Sequence, residues 1–309
     1  MEKKILIAVD GSIHSRKAIE YCIDMCSIIK GMHYVLINIQ PKISDFLIQE
    51  SHIDPQAKAG LKELADRNHK QSMKILDESM EIMIKLGINK KLIEKVSLPA
   101  LKGTSKEILD YAKQTICDAV VVGNRGTSKF AEAFTGSISN NIIEFTDTIP
   151  VWAVGGDINA QKVMLAVDGS ESSLVAVDYA SFMFSGNTSI DITLMHVTPS
   201  LRDYCAIDFK KDNDMVEEII ARGDKLCIES FYTRAQKILT DVGLKKSQIH
   251  ILEVESRISI GRTIVKNLKK HGCGTLIVGR RGVNDSFFMG SVSSYVITHA
   301  KDCAVWLVP

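Results

Sequence analysis

The chain lacks most of the marks by which a sequence declares a chemistry. Its 309 residues carry a net charge of +1, which argues for neither a nucleic-acid partner nor an acidic-lipid one. No apolar run approaches the roughly 20 residues needed to span a bilayer, so no membrane partner is expected. Met1-Glu2-Lys3-Lys4 followed by Ile5-Leu6-Ile7-Ala8-Val9 has the outline of a short signal peptide. Asp10 stops that run too early, however, and no small-residue cleavage site follows. The seven cysteines are an odd number without metal-type spacing, and thiols scattered this way fit a reducing compartment. The expectation is a cytoplasmic protein. Cys22 and Cys26 lie one helical turn apart and could ligate a metal, but a buried apolar helix face is the preferred reading. H-E-x-x-H and G-x-S-x-G are both absent, and the eight histidines are scattered. No metal site and no committed catalytic set is expected.

What the chain does have is a globular composition, 45% hydrophobic and 24% charged, with length for two ordinary α/β domains. It also has a glycine-rich junction. The apolar strand Ala119-Val120-Val121-Val122 runs into Gly123-Asn124-Arg125-Gly126, then a loop, then Gly136-Ser137 and Ile138, Ile142 and Phe145 at helical spacing. Glycines let backbone N–H groups approach an anion. A helix N-terminus offers unpaired donors and the positive end of its dipole. The spacing, G-x2-G-x9-G-S, is neither a Walker A loop nor the dinucleotide G-x-G-x-x-G.

The chain does this twice. Ile5 to Ser12 matches Val163 to Ser170, and both stretches end in Asp-Gly-Ser at Asp10 and Asp168. Val121 to Gly126 matches Ile277 to Gly282, and Val151-Trp152-Ala153-Val154 matches Val305-Trp306-Leu307-Val308. A period of about 155 residues is too long for a solenoid unit and marks a duplicated domain, with Gly155-Gly156-Asp157 as the hinge. The expected units are 1–156 and 157–309. In the first, strands are expected at Lys4–Val9, Tyr34–Ile39, Leu92–Leu98, Ala119–Val122 and Val151–Val154. In the second they fall at Lys162–Val167, Asp191–Val197, Ile249–Val254, Thr275–Val278 and Ala304–Val308. Ala18, Cys22, Met25 and Ile29 share one helix face. Long helices are expected near Ala57–Leu86 and Val216–Val242. Thr104-Ser105-Lys106-Glu107 reads as a capping box. Near-continuous apolar strands alternating with helices mean a parallel sheet covered on both faces, with ligands bound where the strand order reverses. A reversal between strands one and four would bring each Asp beside its own glycine loop.

An Asp ending strand one, followed much later by G-x2-G-x9-G-[ST], resembles the universal stress protein family over nearly the whole chain, and the duplication resembles its tandem members. The resemblance implies two tandem open-sheet, mostly parallel five-stranded α/β domains with helices on both faces, of the adenine-nucleotide alpha-hydrolase-like type. It implies ATP, with Mg²⁺ held mostly by phosphate oxygens and water. In that family the Asp contacts the nucleoside, the end of strand two meets adenine through backbone, and the glycine-loop amides with the Ser/Thr hydroxyl hold phosphates. In the first copy this implies Asp10, Ile39, Val122, Gly123, Gly126, Gly136, Ser137 and Ile138, with Arg125 and Lys129 offering positive charge. In the second it implies Asp168, Val197, Val278, Gly279, Arg281, Gly282, Gly290, Ser291 and Val292. Asp10 has a plainer reading as a cap of helix one, and Arg125 and Lys129 as solvated surface.

The second copy departs from the pattern. Seven residues, Val283–Met289, separate its glycine pairs where the first copy has nine. Its loop contains Asp285 and no lysine, although Arg280 and Arg281 restore positive charge. The first site is therefore expected to bind ATP better, and the second to bind weakly or to take AMP or ADP. Neither copy has the family's Gly-x-Pro turn after strand three. His196 ends strand two of the second copy opposite Asn38 of the first, and reads as a buried structural histidine or a site residue. Trp152 and Trp306, on the final strands, read as an interface in which the two copies form an internal pseudo-dimer, or else as ordinary core. A homodimer of whole chains is also compatible. The implied function is a nucleotide-responsive stress or signalling module with an unnamed protein partner. Two alternatives stay open: a slow ATPase or nucleotide-dependent transferase, and a structural stress protein with both sites empty. No residue is dedicated to activating water, so slow hydrolysis is the most that is expected.

Overall fold

The computed structural model describes residues 2–124, 138–156, 158, 161–198, 214–256, 259–281 and 289–309. The first half builds strands β1 (Lys3–Ala8), β2 (Met32–Gln40), β3 (Ile93–Pro99), β4 (Ala119–Gly123) and β5 (Val151–Gly155). Its helices are α1 (Ile13–Cys26), α2 (Asp45–Glu50), α3 (Pro55–Lys85), α4 (Thr104–Gln114) and α5 (Ile138–Phe145). The second half repeats the order with β6 (Lys162–Val167), α6 (Glu171–Met183), β7 (Asp191–Thr198) and α7 (Asp214–Asp241). It continues with β8 (Ile249–Glu255), α8 (Ile260–Lys270), β9 (Thr275–Gly279), α9 (Ser291–His299) and β10 (Cys303–Val308).

The ten strands form one sheet in the order β3-β2-β1-β4-β5-β10-β9-β6-β7-β8. Pairs within each half are parallel. The halves meet through one antiparallel pair, β5 with β10, in a register that sets Trp152 opposite Trp306. The two five-stranded sheets are thus continuous. Ile5, Leu6, Ile7, Val163, Met164 and Leu165 are fully buried, as strands covered on both faces must be. One apolar cluster lies under α1, α3, α6 and α7, the other under α4, α5, α8 and α9, and each draws on both halves.

Local signals account for several helix starts. Ser12 and Ser170 cap α1 and α6 by accepting from the Ser15 and Ser173 amides. Asp54 caps α3, which has Pro at its start. The expected helix face on α1 is buried at Ala18, Cys22, Met25 and Ile29, but Cys26 is exposed, so only one of the two cysteines lies on that face. Two other details escape the local sequence signals. Helix α2, between Pro41 and Pro55, has no buried residue and no apolar period to reveal it. Thr104 is also not the cap of α4. Gly103 holds that position without a side-chain bond, and Glu107 accepts instead from the Leu101 and Lys102 amides at 3.1 and 2.8 Å.

Hydrogen bonds tie the halves behind the sheet as well. Trp152 Nε1 donates to Tyr179 at 3.0 Å and Trp306 Nε1 to Tyr21 at 2.9 Å, each indole crossing to the other half. Asn187 Nδ2 donates to the Ile28 carbonyl at 2.7 Å and Lys30 Nζ to that of Gly186 at 2.8 Å. The buried Lys3 ammonium donates to the Lys30 carbonyl and lies 5.2 Å over the Phe182 ring.

Candidate functional site

In each half the strand order reverses beside the first strand: β1 lies between β2 and β4, and β6 between β7 and β9. Crevices at such points are where open α/β sheets bind ligands. Asp10 follows β1 directly, and its Oδ1 accepts from the Ser12 amide at 2.9 Å. Gly11 turns the chain with φ +77°, a conformation that an L side chain resists. Because Ser12 supplies the side-chain cap of α1, the Asp10 carboxylate is not the cap, and it stands exposed where the strand order reverses.

Asp168 repeats the arrangement with more bonds. Its Oδ1 accepts from the Ser170 amide at 3.0 Å, from Ser170 Oγ at 2.5 Å and from Ser173 Oγ at 2.6 Å. The residue is half-buried where Asp10 is exposed. Two buried side chains steady these turns from the next strand. Asn38 Nδ2 donates to the Val9 carbonyl at 2.6 Å, and His196 Nδ1 lies 3.0 Å from the Val167 carbonyl. Facing a carbonyl, that ring nitrogen carries the hydrogen. This bond gives His196 a structural role, and both residues hold the peptide just before the carboxylate.

The glycine ends of β4 and β9 close against the same turns. A Cβ on Gly123 would fall 2.5 Å from the carbonyl carbon and oxygen of His14, in the first turn of α1. On Gly279 it would meet Ser172 Oγ at 2.8 Å and the Arg281 carbonyl at 3.1 Å. Glycine is thus required by close approach of the Asp turn, its helix and the glycine loop. Ser139 Oγ donates to the Gly123 carbonyl at 2.8 Å, and Ser293 Oγ to that of Gly279 at 2.7 Å. These two serines pin the helix to its own loop. Sequence reasoning missed them, although they recur two residues after Gly-Ser in both copies.

Val122 and Val278 bury their side chains in the apolar cluster, so only their main chain is available to a ligand. Ile39 is half-buried and Val197 buried at the ends of β2 and β7, paired with Leu98 and Val254. Ile138 opens α5 and is exposed. Gly290 bonds through its amide to the Arg280 carbonyl and precedes α9 without a side-chain cap. Ser291 is exposed at the start of that helix, with Val292 half-buried behind it. Among the described residues, the α9 amides therefore have no capping side chain where an anion is expected. Arg281 is half-buried, and its carbonyl accepts from Ser172 Oγ at 3.1 Å. Arg125, Gly126, Lys129, Gly136, Ser137, Gly282 and Asp285 lie outside the described residues.

Two other clefts lie at the amino ends of the strands, opposite these turns. One of about 470 Å³ includes Lys4, His33, Glu94 and Asp118, and one of about 240 Å³ includes Lys162, Asp191, His250 and Cys273. Both have mixed charge. Among the described residues no cluster of His, Cys, Asp and Glu could hold a metal ion, and no helix is long and apolar enough to cross a membrane.

The chain is also similar to known proteins. The model of the universal stress protein family matches residues 1–155 and again 159–309. Universal stress protein YxiE of Bacillus subtilis is 27% identical over 161 residues, 50% of this chain and 99% of that protein. A universal stress protein of Mycolicibacterium smegmatis is 31% identical over 101 residues, 31% of this chain and 33% of its own length. A crystal structure of a universal stress protein from Archaeoglobus fulgidus shares the fold with a TM-score of 0.64 at 17% identity, covering 99% of this chain and 97% of that one. A protein of unknown function from Pseudomonas aeruginosa, PA1789, does so with a TM-score of 0.57 at 13% identity, over 99% and 92%. With both copies matched by the one family model, the chain belongs to the universal stress protein family.

Proposed function

We propose that each unit, 1–156 and 157–309, holds one adenine nucleotide in the crevice between its Asp turn and its glycine loop. The first unit takes ATP more tightly, and the chain serves as a nucleotide-responsive stress or signalling module. The observation that carries this reading is the convergence of Asp10 with Gly123, and of Asp168 with Gly279, at the two reversal points of the sheet. A carboxylate there suits ribose hydroxyls as a strong acceptor. The ends of β2 and β7, with Ile39 half-buried and Val197 buried, offer backbone groups beside apolar surface, as a purine ring requires. Uncapped amides at the start of α9 suit phosphate.

The ranking of the sites rests on contrasts between the copies. Asp168 is half-buried, while Asp10 is exposed. The second glycine loop is shorter by two residues and carries Asp285. Of its two arginines, Arg280 sends its guanidinium to the other half of the molecule, donating to the Glu144 carbonyl. A weaker second site, or one suited to AMP or ADP, follows. Mg²⁺ would arrive with ATP, held by phosphate oxygens and water.

Isothermal titration with Mg-ATP tests this reading. Two binding events are expected, with the tighter weakened about tenfold or more by Asp10→Ala, the loss of a bond to a charged group. Asp168→Ala should affect the weaker event. Loss of the tight event only in Asp168→Ala would reverse the ranking.

A further inference from the structure

Arg280 follows the first glycine of the second loop, where a phosphate ligand would be sought. It is 6% exposed, and its Nη2 donates to the Glu144 carbonyl at 2.8 Å. Its Nε has no hydrogen-bond partner among the described residues. Glu144 lies in the last turn of α5. Carbonyls there have no partner within the helix and carry the negative end of its dipole. The other end of α5 stands at the first cradle, where Ser139 binds the Gly123 carbonyl. A cation from the second loop therefore clamps the far end of the helix that opens at the first site.

The reciprocal contact exists in weaker form. Asn124, the residue after Gly123, directs Nδ2 to the Ile297 carbonyl at 3.4 Å. Ile297 lies in the last turn of α9, whose start faces the second cradle. Both clamping residues are anchored by their own amides to the final strand of their half, Asn124 to Val154 at 2.7 Å and Arg280 to Val308 at 2.6 Å. The path is a closed ring: first loop, α5, second loop, α9, first loop.

We propose that Arg280 is a positioning residue for the nucleotide site of the first half, acting through α5, and that Asn124 does the same more weakly for the second through α9. The two sites are then linked, and occupancy of either one tightens the other. This rests on the nucleotide reading above. A charged donor at an orphan carbonyl is about twice as strong as a neutral one, so the stronger clamp serves the first site. An anion at the start of α5 and a cation at its end both stabilise the helix dipole, which gives the linkage its favourable sign. By thermodynamic necessity it is reciprocal.

The test is titration of the full chain with Mg-ATP in Arg280→Met, Arg280→Lys and Asn124→Ala. The two binding events are assigned beforehand with Asp10→Ala and Asp168→Ala. Arg280→Met is expected to weaken the first site about fivefold while changing the second, whose loop it occupies, by less. Arg280→Lys should restore part of that loss. Nucleotide-free Arg280→Met should melt no lower than wild type, since an incompletely bonded buried charge has been replaced by an apolar chain. Should Arg280→Met fail to fold, Arg280→Lys and Asn124→Ala carry the test, the latter expected to weaken the second site more than the first. If Arg280→Met weakens the second site and spares the first, or leaves both unchanged, the residue acts locally and the proposal is overturned. If folded wild-type protein binds no nucleotide, the reading of the site falls first and the linkage with it.

Discussion

Trp152 and Trp306 stack face to face across the one antiparallel junction of the sheet, ring centroids 4.0 Å apart and planes 1° from parallel. Each is fully buried, and each indole N–H donates to a tyrosine of the opposite half. The junction is therefore a piece of the protein core. Its apolar cluster includes Ile5 and Leu36 of the first half with Leu165 and Leu194 of the second.

Trp306→Ala removes a large buried side chain and leaves Tyr21 without its indole donor. The expected cost is about 3–5 kcal/mol, measured by urea denaturation. Because the cluster is shared, both halves should unfold in one transition in wild type. A variant in which one half melts early while the other keeps its wild-type midpoint would contradict a shared core.

Gly123→Ala places a methyl group 2.5 Å from the His14 backbone, which cannot rotate away. A loss of about 1–3 kcal/mol is expected, read as a lower melting temperature. Gly279→Ala meets first the Ser172 hydroxyl, which can turn aside, so its cost should be smaller. Equal losses would show that α1 and α6 yield equally.

Burial pushes the phenols of Tyr21, Tyr34 and Tyr179 well above their usual range, and that of Tyr111 up to about 12. A folded value above the unfolded value of about 10 contributes stability that is complete below the unfolded value. It is lost as pH rises through the folded one. Burial raises the thiols of Cys22, Cys117, Cys273 and Cys303 in the same way. The urea midpoint should therefore begin to fall at about pH 8.5, the unfolded thiol value, and more steeply above about pH 10. Tyrosinate absorbance of the buried rings should rise together with unfolding, and Tyr21→Phe should flatten the decline. Full tyrosine titration near pH 10 with the fold intact would contradict this burial.

The order of elements was legible because buried parallel strands are unbroken apolar runs. Asp10, Asp168, Gly123 and Gly279 punctuate them where the chain must turn. The duplication also gave each strand a second witness. What stayed hidden depended on partners distant in sequence. Glu107 looked like the far half of a capping box, yet its carboxylate reaches back to Leu101 and Lys102. Helix α2 is short and exposed, so no periodicity marks it. Arg280 looked like a source of positive charge for the second loop. Its direction is set by Glu144, 136 residues away in the chain. The roles of Asn38 and His196 in holding the Asp turns likewise needed the register of β2 beside β1 and β7 beside β6. Comparing the copies residue by residue pointed to that position without saying what it does.

The central claim is that the Asp turn and glycine loop of each half together retain an adenine nucleotide. Equilibrium dialysis of folded protein against labelled ATP and Mg²⁺ tests it most directly. Saturable retention approaching two nucleotides per chain, one held more tightly than the other and both displaced by unlabelled ATP, is the predicted result. No retention by protein that shows its native melting transition would contradict it.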